Sequence, residues 1–422
     1  MTATARAHTG IEELCRAHQG SGRASLGRLL GGMQETVSEG AWVIVHDGRR
    51  YLNFGGHGVY LLGHRHPEVV AAVHRQIDTH PMSTRVFFEP AGVLAAAELA
   101  SVTPPGLDLV HFVNSGAEAT EAALKLARAH GKTAVVTTRN GFHGKTLGAL
   151  SVTARRIYQD PFEPLLPDVS VVPFGDLAEL ETALARVAGR GVFIVEPVQG
   201  EGGVILPPVG YLAAAAELCR RHDALLIVDE IQTGLGRLGS WWGIDEERVV
   251  PDILLVGKGL SGGVVPIAAM VSSTEIYQPF AKDPYLHSST FAASPIACAA
   301  ARAAITVMRD EALVERAAEL GERLLGAVRA AVAPYSGSHR IEVRGKGLLI
   351  GIEFDEPGLV GELYLNLVER GVLVNHSLNS PTVLRLTPPA VLSDDELDFF
   401  TVTFAESLAE TLSVWVSEEG NR

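Results

Sequence analysis

The sequence predicts an α/β fold: a large, mostly parallel sheet with helices on both faces, joined to a smaller α+β part drawn from both ends of the chain. Three observations carry this. Hydrophobic residues make up 47% of the 422 positions but aromatics only 6%, so the core rests on aliphatic side chains and alanine. The middle of the chain alternates short β-branched runs with Ala/Leu/Glu-rich stretches of helical period, the pattern of a sheet buried on both faces. The two ends lack that alternation.

In chain order, residues 24–63 read as helix-poor, with paired strands at Trp42–His46 and Tyr51–Phe54 across an Asp47-Gly48 turn. Strand runs follow at Leu109–Val113, Thr133–Thr138, Val169–Phe174, Val192–Val195, Leu225–Val228, Ile253–Val256 and Ala268–Val271. Helical stretches lie between them at Ala117–His130, Asp176–Ala188 and Tyr211–His222. After Pro295 the chain is Ala-rich and helical to about Pro334, with Ser294 placed to cap its start. Ile341–Arg344 and Leu348–Phe354 then flank a Gly345-Lys346-Gly347 turn. A helix over Gly361–Arg370, strands near Val372–Asn375 and Val383–Thr387, and a terminal helix over Ser393–Val414 complete an α+β part. The expected division is 1–80 as an N-terminal segment of the smaller domain, 81–308 as the large α/β domain, and 309–422 as the remainder of the smaller one.

Composition excludes several classes of partner. Thirty-five Lys+Arg against 49 Asp+Glu leave a net charge of −14, which disfavours nucleic acid and anionic membrane. Cys15, Cys219 and Cys298 are far apart and form no CxxC, so reduced thiols in a cytoplasmic protein are expected. The start MTATARAHTG lacks the apolar core of a secretion signal, and no stretch approaches the roughly 18 apolar residues of a membrane span. His57, His64, His66 and His74 cluster in sequence without a metal-ligand spacing; they read as polar residues of turns and helices, and no metal site is expected.

In a parallel α/β sheet, ligands gather at the C-terminal ends of the strands. Three motifs stand there. Asn114-Ser115-Gly116-Ala117-Glu118 joins a strand to a helix: Ser115 and Glu118 form a capping box, and the small Gly116 and Ala117 let an anion reach the free amides of the helix start. Asp229 directly follows Leu225–Val228. Lys258 follows Ile253–Val256 within Gly257-Lys258-Gly259, an amine with little steric cover. Taken singly, these read as a capped helix, a turn acid and a solvated lysine. Together they are what pyridoxal 5′-phosphate (PLP) requires: a phosphate cradle, a lysine for the aldehyde and an acid that keeps the pyridine nitrogen protonated. A unit charge about 4 Å from that nitrogen is worth about 4 kcal/mol at an effective dielectric of 20, before desolvation. Two rivals fail. The GxGxxG run Gly234–Gly239 neither follows a strand directly nor opens a helix, and Gly144-Lys145-Thr146 lacks the first glycine of a phosphate loop, which would fall at Arg139.

These residues resemble the class III aminotransferases, PLP enzymes of fold type I, and within them the putrescine aminotransferase group. The resemblance runs from about residue 40 to 410 and is densest at Asn114–Lys125, Phe142–Ala149, Pro161–Pro167, Glu196–Pro208, Leu226–Arg237 and Asp252–Lys258. It implies that Ser115, Gly116 and Ala117 bind the phosphate and that Phe142 stacks on the ring with His143 beside it. It implies that Glu196 and Gln199 line the site, that Asp229 pairs with the ring nitrogen and that Gln232 meets the ring hydroxyl. Lys258 would be the Schiff-base lysine and proton carrier. Thr290 would reach the phosphate of a neighbouring subunit, implying a homodimer with shared sites. Arg385 would bind a substrate carboxylate, and a lone arginine between Leu384 and Leu386 is poorly explained as surface charge. Glu201 would pair with Arg385 when no carboxylate is present. The strip Gly55–Tyr60 would line the pocket, with His57 and Tyr60 shaping it for something other than a simple diamine.

One stretch departs from the pattern. Related enzymes usually follow the threonine and aromatic pair with Gly-Gly-Asn-Pro, whereas this chain reads Ala292-Ala293-Ser294-Pro295, two added methyls expected to narrow the pocket. The expected activity is ping-pong transfer of an amino group between a terminal amine and an α-keto acid, 2-oxoglutarate or pyruvate. The amine is a diamine, an ornithine- or lysine-like compound, or one formed from a biosynthetic aldehyde. Alternatives are an acylornithine/ornithine-type aminotransferase, an aminomutase or decarboxylase on the same fold, or a cofactor-dead relative, the last opposed by the intact Asp229, Gln232 and Lys258.

Overall fold

The structure, a computed structural model, describes residues 10–419. After two short helices, Ile11–His18 and Ser21–Leu29, three antiparallel strands form the edge of a small sheet: β1 (Glu35–Glu39), β2 (Trp42–Val45) and β3 (Arg50–Asn53). The central strands are β4 (Leu109–Val113), β5 (Ala134–Thr138), β6 (Val169–Val172), β7 (Gly191–Val195), β8 (Leu225–Asp229), β9 (Ile253–Val256) and β10 (Ala268–Ser272). The last are β11 (Glu342–Lys346), β12 (Leu349–Glu353), β13 (Val372–Leu373), β14 (Asn375–Ser377) and β15 (Ser380–Leu386).

The central sheet has seven strands in the order β4-β10-β9-β8-β7-β5-β6. All neighbours from β9 to β6 are parallel, while β10 runs antiparallel to both β4 and β9. Strand alternation feeds two cores. On β7, β8 and β9, Phe193, Val195, Leu226, Val228, Leu254 and Val256 pack into one apolar cluster. Their neighbours Val192, Ile194, Leu225, Ile227, Ile253 and Leu255 pack into the other. Burial of both faces explains why these strands read as unbroken apolar runs.

The two chain ends meet in one sheet: β13 pairs in parallel with β3. A third, antiparallel sheet runs β11-β12-β15-β14. Its register sets Arg344, Gly351, Arg385 and Asn375 in one row across the four strands. No helix among the described residues is long and apolar enough to cross a membrane.

Four local expectations change. Residues 24–29 are helical, within Ser21–Leu29, where a helix-poor segment was expected from residue 24. The hairpin loop after β11 is Gly347-Leu348, because Gly345 and Lys346 still pair with Ile350 and Leu349. The helical stretch after Pro295 breaks into Pro295–Asp310 and Leu313–Val332, with Ala312 in a left-handed conformation at φ +50°. Ser294 occupies the cap position of the first of these, but its hydroxyl accepts no capping hydrogen bond.

Candidate active site

A cavity of about 280 Å³ opens where the central strands end. Its walls bring together Gly116, Ala117, Phe142, His143, Glu196, Glu201, Asp229, Gln232 and Lys258, nine of the residues singled out in the sequence. The helix Gly116–Ala129 points its start at this space. Ser115 Oγ accepts from Glu118 N at 3.3 Å, and Glu118 Oε2 accepts from Asn114 N at 2.7 Å. The return contact thus falls one residue earlier than in a strict capping box. The first amides of the helix, on Gly116 and Ala117, have no intrahelical acceptor by the geometry of a helix start. Gly116 has a second reason to be glycine: a Cβ there would lie 2.8 Å from Ile231 Cδ1.

Asp229 ends β8 almost fully buried. One carboxylate oxygen accepts from Ile231 N at 3.1 Å, and the other meets His143 Nδ1 at 2.7 Å. His143 is fixed in turn: its amide donates to Thr153 Oγ1 and its carbonyl accepts from Thr120 Oγ1. Its Nε2 is buried and unpartnered. Burial opposes the charged imidazole, but the hydrogen bond and charge of Asp229 outweigh it, so the His143 pKa rises. Glu196 accepts from Phe142 N at 3.0 Å, which fixes the turn that carries the Phe142 ring. Burial lifts the Glu196 carboxyl to about 7.

Lys258 opens a short 3-10 turn after β9 with φ +43°. A lysine in the left-handed region costs roughly 1–3 kcal/mol, strain of the kind that collects at functional sites. Burial, with Arg385 next among the groups that disfavour its charge, lowers the ammonium to about 8, against the opposing pull of Glu201, Asp229 and Glu196. Arg385 stands behind the cavity wall, wholly buried on β15. Its Nη1 meets Glu201 Oε1 at 2.7 Å and Gln232 Oε1 at 3.4 Å, while Nε and Nη2 have no partner. Glu201 Oε2 also accepts from Leu378 N at 3.0 Å. Burial works against the Glu201 carboxylate, but Arg385 and Lys258 hold its pKa below the ordinary range.

The family described as aminotransferase class III matches residues 32–408. The chain is a class III aminotransferase. Among solved structures, the ornithine aminotransferase of Toxoplasma gondii ME49 is 36% identical over 92% of this chain and 91% of that one, with a TM-score of 0.85. A second structure of the Toxoplasma gondii enzyme, with partial occupancy of PLP at its active site, is 35% identical over 90% of each chain, with a TM-score of 0.84. A thermostable (S)-enantioselective ω-transaminase from Thermomicrobium roseum is 30% identical over 92% of this chain and 95% of that one, with a TM-score of 0.84. The α/β architecture with its mixed sheets is that of fold type I.

The cofactor of this aminotransferase is PLP. The donor set fits it. The cavity lining offers helix-start amides to a phosphate, an aromatic ring, an acid and a lysine of lowered pKa.

Five expected residues lie elsewhere. Ser115 is exposed and spends its hydroxyl on the cap. Gln199 turns away, donating through Nε2 to Thr138 Oγ1 and the Arg139 carbonyl; it ties loops together rather than lining the cavity. Tyr60 packs its ring against His64, with centroids 3.9 Å apart. Thr290 is exposed and outside the cavity of its own chain. Arg385 reaches the cavity through Glu201 and Gln232. The two alanines of the departing stretch line a separate cavity beside Arg85, His111 and His287, so they do not narrow this one within the chain. Ala293 has φ +53°, a conformation in which glycine is unstrained.

The sequence reading missed two buried ionisable residues. Arg237 donates to the carbonyls of Leu348, Pro388 and Gly58, tying the N-terminal strip to the C-terminal part, and burial lowers its pKa to about 9. Glu230, next to Asp229, is not among the residues lining that cavity; Ile244 N donates to it at 3.1 Å.

Proposed function

We propose that this aminotransferase moves an amino group between a terminal amine and an α-keto acid in two alternating half-reactions. The observation that carries this reading is the buried Glu201–Arg385 pair at the wall of the cavity that holds Lys258. Arg385 suits the bidentate binding of a keto-acid or glutamate carboxylate. With a substrate lacking that carboxylate, the same arginine would be an uncompensated buried charge, and Glu201 neutralises it. One site then serves two chemically different partners in turn.

Their places around the cavity support the remaining roles. Gly116 and Ala117 would offer their amides to the phosphate, Phe142 would face the ring, and Asp229, held by His143, would pair with the ring nitrogen. When bound, the cofactor supplies the electron sink that makes the substrate proton removable. Lys258 Nζ carries that proton, as its lowered pKa suits near-neutral pH. We further propose a homodimer in which Thr290 serves the partner's phosphate. The exposed apolar strip Val86-Phe87-Phe88, with Phe88 98% exposed, and the exposed Phe291 favour a covered face there.

The donor class is a diamine, an ornithine- or lysine-like compound, or an amine made from a biosynthetic aldehyde. An ornithine-type donor gains weight from the 36% identity to the Toxoplasma gondii enzyme, and a putrescine-type donor from the motif resemblance. The test incubates the holoenzyme with a panel of such amines and 2-oxoglutarate or pyruvate, and measures glutamate or alanine. Product from at least one terminal amine is expected. A protein that binds PLP yet aminates neither keto acid from any donor contradicts the proposal and leaves an aminomutase or decarboxylase reading standing.

A further inference from the structure

Glu201 belongs to a tight loop closed by mutual backbone hydrogen bonds between Gln199 and Ile205, at 3.0 and 3.1 Å. The loop is strained. Val204, fully buried, sits at φ +55°, a genuine outlier for a β-branched residue. Something outside the loop must hold it so.

The cross-strand row supplies that hold. Arg344, Gly351, Arg385 and Asn375 lie opposite one another on β11, β12, β15 and β14, so they share one face of the sheet. Both arginines of the row address this loop. Arg385 takes the Glu201 carboxylate. Arg344 donates through Nε to the carbonyls of Gly203 and Val204, each at 3.1 Å, and through Nη2 to Gly203 O at 2.7 Å. Its Nη1 is anchored by Glu342 at 3.1 Å and Glu353 at 2.6 Å. Between the arginines, Gly351 leaves the space that the loop occupies: a Cβ there would lie 2.9 Å from Val204 Cβ and 3.1 Å from Gly203 O. The far side of the loop is tied by Asn379 N, which donates to Glu201 O at 3.0 Å.

We infer that Arg344 is a positioning residue that, with Gly351 kept free of a side chain, sets Glu201 against Arg385 and so tunes the choice between carboxylate-bearing and carboxylate-free substrates. This rests on the proposed alternation of Glu201 at Arg385. Without the Arg344 clamp the strained Gly203-Val204 peptide relaxes and Glu201 withdraws. A substrate carboxylate then meets less competition for Arg385, while a carboxylate-free amine finds that arginine unneutralised.

The test uses holoenzyme: wild type, Arg344→Met, Glu201→Gln and the double variant. The readout is kcat/KM for the half-reaction with L-glutamate, divided by that with the best terminal amine of the panel. Arg344→Met should shift this ratio toward glutamate by about fivefold, Glu201→Gln by more, and the double variant no further than Glu201→Gln alone. Glutarate, which cannot be aminated, should bind the Arg344→Met holoenzyme more tightly, read from the cofactor's absorbance. Equal scaling of both half-reactions by Arg344→Met, or an undiminished shift in the Glu201→Gln background, overturns the inference. If Glu201→Gln itself leaves the ratio unchanged, the alternation fails and the inference with it. If Glu201→Gln shifts the ratio and Arg344→Met does not, only the inference fails. Should Arg344→Met not fold, Gly351→Ala must shift the ratio in the same direction or the inference falls.

Discussion

Two glutamate–arginine pairings in this molecule use the same side chains to opposite ends. In the N-terminal helices, Glu12 meets Arg16 at 2.9 Å and also meets Arg28, all three exposed. In the candidate active site, Glu201 meets Arg385 at 2.7 Å, with side-chain exposures of 5% and 0%. The first pair is screened by water and contributes little to stability. The second lies where charge cannot be left alone, so removing one partner strands the other. Distance alone does not tell the two apart; burial decides which contact can act as a switch.

The sharpest break in that comparison is to remove the amine the buried site serves. Lys258→Ala should lower turnover by about 10⁴-fold and remove the absorbance band of the lysine–PLP aldimine. Retained turnover would mean that the cavity is not the reacting site. Next in size, Arg385→Leu strands Glu201. It should raise KM for 2-oxoglutarate at least about a hundredfold and destabilise the protein by roughly 3 kcal/mol, both measurable in steady-state assays and urea melts.

A third test concerns a buried carboxyl without a charged partner. Burial lifts the Glu230 carboxyl from 4.5 to about 8. Between those values the folded chain keeps a proton that the unfolded chain has released, so stability falls as pH rises through the window. Melts of the cofactor-free protein at pH 5 and pH 8 should show a steeper loss for wild type than for Glu230→Gln, by roughly 3 kcal/mol over the window. An identical loss in both would place the titration elsewhere. Smallest of all, Arg28→Ala should leave the melting temperature unchanged, since its partner Glu12 is exposed.

Much of the central sheet was legible because a strand buried on both faces must be written in apolar residues. Leu109–Val113 and Ile253–Val256 fall on the observed strands residue for residue. Asp229 and Lys258 were legible for a related reason: a polar residue that ends such a run stands at a strand end, where the cavity lies. Side-chain direction was not legible. Gln199 sits in a motif of the family, yet its amide turns to Thr138, and only three-dimensional packing decides that. Tyr60 was drawn away by the ring of His64. The break at Ala312 had no glycine or proline to mark it. Arg344 and Arg237 lie far in sequence from the carbonyls they serve, so no spacing could reveal their roles.

On the proposed alternation, one buried arginine serves two substrates because Glu201 neutralises it between them. The direct measurement is single-turnover kinetics of Glu201→Gln against wild type in the two half-reactions, one with a terminal amine and one with L-glutamate. The loss with the amine should be at least about tenfold greater than the loss with glutamate. Equal losses in the two would contradict the alternation.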